Sequence, residues 1–257
     1  MWIDSHCHLD FAVFDNGRTQ LMEQTVKLGI EKILVPGVEA QHWQRILVLC
    51  DAWPDTVVPA WGLHPCFVDH HTLDDLQQLD DWLHRKRPVA VGEIGLDFFM
   101  DGYDEEKQRL YFREQIKLAR SHKLPIVVHC RKAHDQCLKL IRELGFAEGG
   151  FMHAFSGSLQ QAQRCLDAGF KLGIGGAATY ERATRLQQLI VRLPLDSFVL
   201  ETDAPDIPPC FARDEPNTPL NLPRIAGIIC ERAGIDPEQF ARVTTDNVRT
   251  LLKLPAS

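Results

Sequence analysis

The sequence predicts an α/β protein with the architecture of a (β/α)8 barrel of the TIM type. Eight short apolar or β-branched runs recur at intervals of about 30 residues, and amphipathic segments separate them. Side chains that can bind metal ions stand at or near the ends of several runs, as expected at the active-site end of such a barrel. The 257 residues contain no Gly/Ser-rich linker, so we expect one barrel domain spanning residues 1–257.

The eight runs are the candidate strands. They are Trp2–Leu9, Lys32–Val38, Thr56–Leu63, Val89–Leu96, Pro125–Cys130, Gly150–Phe155, Phe170–Gly175 and Phe198–Thr202. Because strands that alternate with helices form parallel sheets, eight such units favour closure into a barrel. An open, doubly wound sheet is the alternative, but it would place a Gly-rich phosphate turn after the first strand, and the sequence has none there.

Apolar residues in the connecting segments recur at helical spacing. Positions i, i+3, i+4 and i+7 are apolar in two clear examples, Trp43, Ile46, Leu47 and Cys50, and Leu186, Leu189, Ile190 and Leu193. This pattern places an apolar stripe on one face of each predicted helix. Pro223 stands at a first-turn position before Ile225 and Ile228, which predicts a helix after the last strand.

Composition narrows the class of protein. The chain begins without a signal-peptide pattern, has no apolar run long enough to span a bilayer, and carries eight cysteines without a CxxC pair. We therefore expect a cytoplasmic enzyme with no membrane association and no protein partner. The formal charge of −7 argues against a protein that grips nucleic acid by charge alone, although metal-ligating carboxylates contribute to that count.

The first strand is expected to end in His6-Cys7-His8. Side chains alternate along a strand, so both imidazoles should point into the barrel mouth, where they can reach one cation. An HxH pattern alone is a weak signal. The case is stronger because similar residues recur at or near the ends of four other predicted strands: Glu93, His129, His153 and Asp203. A buried charge or imidazole in such a place is costly unless it is paired or bound to metal.

Four histidines and two carboxylates exceed the three protein ligands typical of one catalytic zinc, so the set predicts two divalent ions. We expect His6, His8 and Asp203 on one ion, His129 and His153 on the other, and Glu93 as the bridge between them. The ligand types favour Zn²⁺ or Mn²⁺, with Mg²⁺ possible. Glu93 and Asp203 are the predicted catalytic residues, and Asp203 would take the proton of an activated water.

Three further residues are candidates for supporting roles. His64 follows the third strand and is expected to contact substrate, with a turn cap before Pro65 as the alternative. Arg131 faces the same way as His129 and can hold a phosphate, or it can pair with Asp135. Glu201 lies one layer below Asp203 and is expected to orient a ligand imidazole. The remaining histidines are expected on the surface: His42, His70, His71, His84, His122 and His134.

Several motifs together resemble the TatD family of metal-dependent hydrolases. They include Asp4-Ser5-His6-Cys7-His8-Leu9, Gly92-Glu93-Ile94-Gly95-Leu96-Asp97, His153-Ala154-Phe155-Ser156-Gly157 and Glu201-Thr202-Asp203-Ala204-Pro205. The resemblance runs through nearly the whole chain and implies divalent-metal binding by the same six ligands. It also implies hydrolysis of DNA. The family's basic loop after Asp-Ala-Pro is reduced here to Arg213 among acids over residues 206–219, which bears on the substrate.

The expected activity is therefore divalent-metal-dependent hydrolysis, with a phosphodiester in DNA as substrate and a preference for ends or single strands. The main alternative is hydrolysis of a small ester, lactone, amide or phosphate ester by the same centre. A metal-binding barrel without catalytic activity is a further alternative, which predicts a closed coordination sphere.

Overall fold

A computed structural model describes residues 1–255 of the chain. Eight parallel strands form one sheet in which every strand pairs with its neighbour in sequence. The strands are β1 (Trp2–Asp4), β2 (Ile30–Pro36), β3 (Val57–Trp61), β4 (Ala90–Asp97), β5 (Ile126–Arg131), β6 (Gly150–Met152), β7 (Phe170–Ile174) and β8 (Phe198–Leu200). The predicted (β/α)8 barrel is confirmed.

Helices connect the strands and surround the sheet. They are α1 (Arg18–Lys27), α2 (Trp43–Ala52), α3 (Leu73–Lys86), α4 (Glu105–His122), α5 (His134–Glu143), α6 (Leu159–Asp167), α7 (Thr184–Arg192), α8 (Leu222–Ala233) and α9 (Pro237–Leu252). The apolar stripes predicted for α2 and α7 supply buried side chains such as Ile46 and Ile190. Pro223 lies in the first turn of α8, as its position predicted. No helix in the described part of the chain is long and apolar enough to cross a membrane.

The barrel closes at a seam between the first and last strands. The Ser5 N–H donates to the Leu200 carbonyl at 3.0 Å, and the Asp203 N–H donates to the His6 carbonyl at 2.9 Å. Between them, the buried Asp4 carboxylate accepts from the Thr202 hydroxyl at 2.6 Å and from the Thr202 N–H at 3.0 Å. Burial raises the pKa of Asp4 to about 7. The seam therefore depends on a carboxylate that stands two residues before the first histidine.

Apolar side chains form two layers. The larger layer lies between strands and helices, and the smaller one fills the barrel interior with residues such as Leu34, Val127 and Phe151. Val248 and Leu252 of α9 belong to the inner layer and cover it at the amino ends of the strands. The opposite, carboxyl end of the barrel is left for polar groups, and the candidate ligands lie there.

Several strands end earlier than predicted at the carboxyl end of the barrel. β1 was expected to reach Leu9 but ends at Asp4, and β8 was expected to reach Thr202 but ends at Leu200. Ala154 and Asp203, just beyond β6 and β8, have positive φ angles of 44° and 58°. The backbone leaves the extended conformation there, which turns side chains toward the barrel axis. Non-glycine residues in this region are uncommon and mark strained, often functional positions.

Candidate metal centre

Six elements deliver the candidate ligands to the carboxyl end of the barrel. Glu93 and His129 lie within β4 and β5, and the others follow strands: His6 and His8 after β1, His64 after β3, His153 after β6 and Asp203 after β8. All of them are buried except His129, which is partly exposed. Residues nearly 200 positions apart in sequence therefore meet in one small volume.

Four donor atoms surround a common point at the seam side of this volume. The two imidazole Nε2 atoms of His6 and His8 are 3.2 Å apart, and Glu93 Oε2 lies 3.0 Å from the first and 3.4 Å from the second. Asp203 Oδ1 lies 3.6 Å from His6 Nε2 and 3.8 Å from His8 Nε2. Ligands bound tetrahedrally at about 2.1 Å would be about 3.4 Å from one another. The observed separations match that value.

His153 belongs to the same side of the centre, and not to the side of His129 where the sequence argument expected it. Its ring stacks on His6 with centroids 3.5 Å apart, and its Nε2 lies 3.4 Å from Asp203 Oδ1. Behind it, Glu201 Oε1 lies 3.1 Å from His153 Nδ1 and accepts a hydrogen bond from the Ala154 N–H at 2.7 Å. A Cβ on Gly173 of β7 would collide with the Glu201 carboxylate and displace it from its present position. Glu201 thus stands where it can orient the His153 ring.

The second oxygen of Glu93 faces a different group of imidazoles. Glu93 Oε1 lies 3.0 Å from His129 Nδ1 and 3.2 Å from His64 Nε2, and the two rings are 4.4 Å apart. His64 is therefore nearer to His129 than His153 is, since the His129 and His153 rings are 6.4 Å apart. The two oxygens of one carboxylate point at two imidazole groups, which is the arrangement a bridging ligand requires.

Asp97 is a further carboxylate at this side that the sequence argument did not single out. Its Oδ2 lies 2.8 Å from His129 Nε2 and accepts from the Cys66 thiol at 3.5 Å. Burial alone would raise the pKa of Asp97, but the hydrogen bond from His129 and others lower it to about 2. A signal was available, because Asp97 is a carboxylate at the end of an apolar strand, the criterion that identified Glu93.

Electrostatics divide the centre into groups that stay ionised and groups that stay neutral. Burial lowers the pKa of His64 to about 4, so this imidazole is neutral at physiological pH. Burial opposes ionisation of Glu93, but the surrounding histidines, His64 and His6 first among them, bring its pKa well below the usual range. Burial opposes protonation of His8, His129 and His153, but the neighbouring carboxylates raise the pKa of all three imidazoles. Because metal ligation needs neutral imidazoles, protons compete with a cation for these nitrogens.

The residues fit a divalent cation. Glu93 Oε2 is buried and has no hydrogen-bond partner among the described residues, although the Nε2 atoms of His6 and His8 lie 3.0 and 3.4 Å away. A buried carboxylate oxygen left in this way is costly unless a positive charge compensates it. Imidazole and carboxylate ligands suit Zn²⁺ and Mn²⁺. Three groups of donor atoms in the described part of the chain can hold such an ion: His6, His8 and Asp203; His6, Glu93 and His153; and His64, Cys66 and His129.

Two other candidate residues are placed as follows. His64 accepts a hydrogen bond from the Cys66 N–H through Nδ1, so it caps the following turn while Nε2 faces Glu93. Arg131 is exposed, and its guanidinium stacks on the Phe99 ring at 3.7 Å. It does not pair with Asp135, which pairs with Arg164 instead.

The expectation that six other histidines lie on the surface is wrong for two of them. His71 is buried, and its Nε2 hydrogen-bonds to the His64 carbonyl at 3.0 Å. His134 is buried at the start of α5 with its ring against Phe155. Each lies under a loop at the barrel mouth, and a helical or loop pattern does not reveal such a covering.

Comparisons with known proteins agree with this geometry. The sequence matches the model of the family described as TatD-related DNase over residues 3–253. The chain belongs to the TatD family. The metal-dependent hydrolase YjjV of Escherichia coli K12 is 38% identical over 256 residues, covering 99% of this chain and 98% of the relative. The crystal structure of YjjV superposes with a TM-score of 0.94 and covers 99% of this chain and 98% of that one.

Another TatD relative carries a more specific name. The protein named 3′-5′ ssDNA/RNA exonuclease TatD of Pectobacterium parmentieri is 31% identical over 257 residues, covering 98% of this chain and 99% of the relative. Membership of the TatD family confirms the predicted class, a metal-dependent hydrolase built on a (β/α)8 barrel.

Proposed function

We propose that this TatD-family protein is a two-metal phosphodiesterase that cleaves single-stranded nucleic acid, preferentially from an end. One observation carries the proposal: the two oxygens of Glu93 face two separate imidazole groups across a distance that one carboxylate spans. Two-metal centres of this kind clamp the attacking and leaving oxygens of a phosphoryl displacement. The names of the exonuclease relatives support nucleic acid as the substrate.

The ligands divide around Glu93. We assign His6, His8 and Asp203 to one ion, with His153 beside them, and His129 to the other, with Glu93 shared between the two. His64 Nε2 also lies within reach of the second ion, beside His129. Zn²⁺ or Mn²⁺ suits this donor set best, and Mg²⁺ suits it less well. Bound ions of this kind lower the pKa of water toward about 7 and polarise phosphoryl oxygens.

The chain's own residues supply positioning and proton transfer. Burial opposes ionisation of Asp203, but His153 and the other histidines lower its pKa below the usual value, so the carboxylate is ionised and can accept a proton. Glu201 holds the His153 ring in place. Arg131, exposed at the rim, is placed to bind a phosphate of the substrate. All eight cysteines are free, which supports a reducing compartment, the cytoplasm.

The direct test is hydrolysis of an end-labelled single-stranded oligonucleotide. Metal-free protein should be inactive, and Zn²⁺ or Mn²⁺ should restore cleavage. Asp203→Asn should lower kcat by about 100-fold or more, because a general base typically contributes 10²–10⁴-fold. Asp51→Asn, an exposed carboxylate on α2 away from the centre, is the control and should cleave like the unaltered protein.

Metal-loaded protein that leaves the oligonucleotide intact would contradict the nuclease proposal. Cleavage of a small ester or lactone under the same conditions would then assign the centre to that substrate class. The acidic residues of the 206–219 loop are the feature that makes this comparison necessary.

A further inference from the structure

Two clefts open beside the metal centre, one on each side. The first, of about 770 Å³, is continuous with the centre and is lined by His129, His153 and Asp203. The second, of about 370 Å³, lies beyond His8, whose ring stacks on Phe11 at 4.7 Å. A polymeric substrate bound at the metals must leave through one or both of them, so their charges determine where its phosphates run.

The larger cleft has a cationic rim. Arg131 contributes from β5, Arg182 from the β7–α7 connection and Arg185 from the first turn of α7. All three side chains are exposed, and none forms an ion pair within residues 1–255. Arg131 and Arg182 lie instead over the rings of Phe99 and Tyr180. Three guanidiniums without a carboxylate partner at one cleft are available to bind anions bidentately.

The wall below the rim is apolar. Phe155, Leu186 and Leu189 line it, together with Ile207 from the β8–α8 loop. The first turn of α7 also borders this cleft and has no side-chain cap, which adds a favourable partial charge for an anion. An apolar floor under a cationic rim suits a ligand with neutral faces and a charged backbone.

The smaller cleft has the opposite character. Asp10 and Glu39 contribute buried carboxylates to it, and Asp10 Oδ1 has no hydrogen-bond partner in the described part of the chain. Its arginine, Arg45, already pairs with Asp15. The larger cleft also holds the carboxylates of Asp203 and Asp206, but its three arginines outnumber them, whereas the carboxylates outnumber the single arginine in the smaller cleft. The backbone of a bound strand is therefore directed to the larger cleft.

We infer that Arg182 and Arg185, together with Arg131, form a subsite for the phosphates that neighbour the scissile one in a single-stranded nucleic acid. This inference rests on the proposed phosphodiesterase function and extends it. It also explains how an acidic chain, with only Arg213 as a cation in its 206–219 loop, presents positive charge to the substrate. The cations lie on the opposite wall, at the β7–α7 connection.

The test measures binding of a phosphorothioate-linked, fluorescein-labelled oligothymidylate, which resists cleavage, to the metal-loaded protein by fluorescence anisotropy. Each arginine that neutralises one phosphate of a single strand contributes about 0.7 to the slope of log K against log salt. Arg182→Ala and Arg185→Ala should each reduce the slope by about that amount. Each should weaken binding roughly threefold to tenfold, the range expected for an exposed charge-assisted contact.

Arg192→Ala is the matched control, because Arg192 is an exposed arginine at the other end of the same helix, outside the cleft. It should leave both affinity and slope unchanged. Unaltered slopes in the Arg182 and Arg185 variants, or an equal loss in the Arg192 variant, would overturn the subsite.

A kinetic comparison separates the subsite from the catalytic proposal. Thymidine 5′-(4-nitrophenyl phosphate) carries one phosphate and cannot use a neighbouring-phosphate site. A variant with both Arg182→Ala and Arg185→Ala should therefore have a lower kcat/KM for an oligonucleotide. Its kcat/KM for this small diester should stay within about twofold of the unaltered protein's. Tight, salt-dependent binding by protein that cleaves neither substrate would contradict the phosphodiesterase proposal and support the subsite.

Discussion

At the scale of single residues, Glu93 joins the two halves of the centre. Its Oε2 lies among the nitrogens of His6 and His8, and its Oε1 lies between those of His64 and His129. No other carboxylate of the centre faces both groups, since Asp203 lies on one side and Asp97 on the other. Substitutions at Glu93 should therefore affect both sites, whereas a histidine should affect one.

Metal content tests this division. Purified protein should carry two ions per chain by mass spectrometry. His129→Ala should carry one, because the donor atoms of His6, His8, Glu93 and Asp203 remain. Glu93→Gln, which keeps one oxygen, should lower occupancy at both sites. His84→Ala, an exposed histidine on α3, is the control and should keep two ions. Two ions retained by both centre variants would contradict the assignment.

The sequence could reveal ligand-type residues, but not all of the contacts between them. The His6 and His8 nitrogens do converge, even though the strand ends at Asp4 and alternation along a strand is not what orients them. The approach of His64 to His129, and the support of His129 by Asp97, depend on how adjacent strands are staggered. Stagger is a property of the closed barrel that no local pattern encodes.

At the scale of elements, periodicity located all eight strands but overestimated several of their carboxyl ends. The apolar residues predicted a strand that continues to Phe155. In the structure β6 ends at Met152, because the backbone leaves the extended conformation at Ala154. α9 was not predicted at all. A signal was available, because the buried residues Phe240, Thr244 and Val248 recur at helical spacing after Pro237.

The N-terminus of α9 offers an element-scale prediction. Asp236 caps it by accepting from the Gln239 N–H at 2.7 Å, and Pro237 occupies the first turn. Asp236→Ala should lower the free energy of unfolding by about 1 kcal/mol in urea titrations, because a helix N–H loses its acceptor. Asp236→Asn keeps an equivalent cap and should change stability little. Equal stability of the alanine variant and the unaltered protein would contradict this role, and metal content should stay constant throughout.

At the scale of the whole molecule, the first ion would bind across the seam of the barrel. His6 and His8 follow β1, whereas Asp203 follows β8, and these two strands are the ends of the sheet. The seam already holds the Asp4–Thr202 hydrogen bonds and the backbone bonds beside them. A ligand that binds only the folded state adds its binding free energy to stability.

Removing the metal should therefore lower the melting temperature. Free metal at 100–1,000 times Kd contributes about 3–4 kcal/mol, and a chain of this size shifts by roughly 2–4 °C for each kcal/mol. Chelation followed by calorimetry should lower Tm by about 5–15 °C, and Zn²⁺ should restore it. Asp203→Asn should show a smaller shift. A fully metal-free protein that melts at the same temperature would contradict a site across the seam.

The position of the seam also determines when the first metal site can form during translation. The ribosome releases His6 and His8 roughly 200 residues before Asp203, so most of translation passes with half of a binding site exposed. Capture of the ion between these residues must wait until β8 has emerged and docked beside β1. The complete ligand set of this site would therefore exist only in a chain whose barrel has closed. A chain terminated before β8 would carry His6 and His8 but lack Asp203.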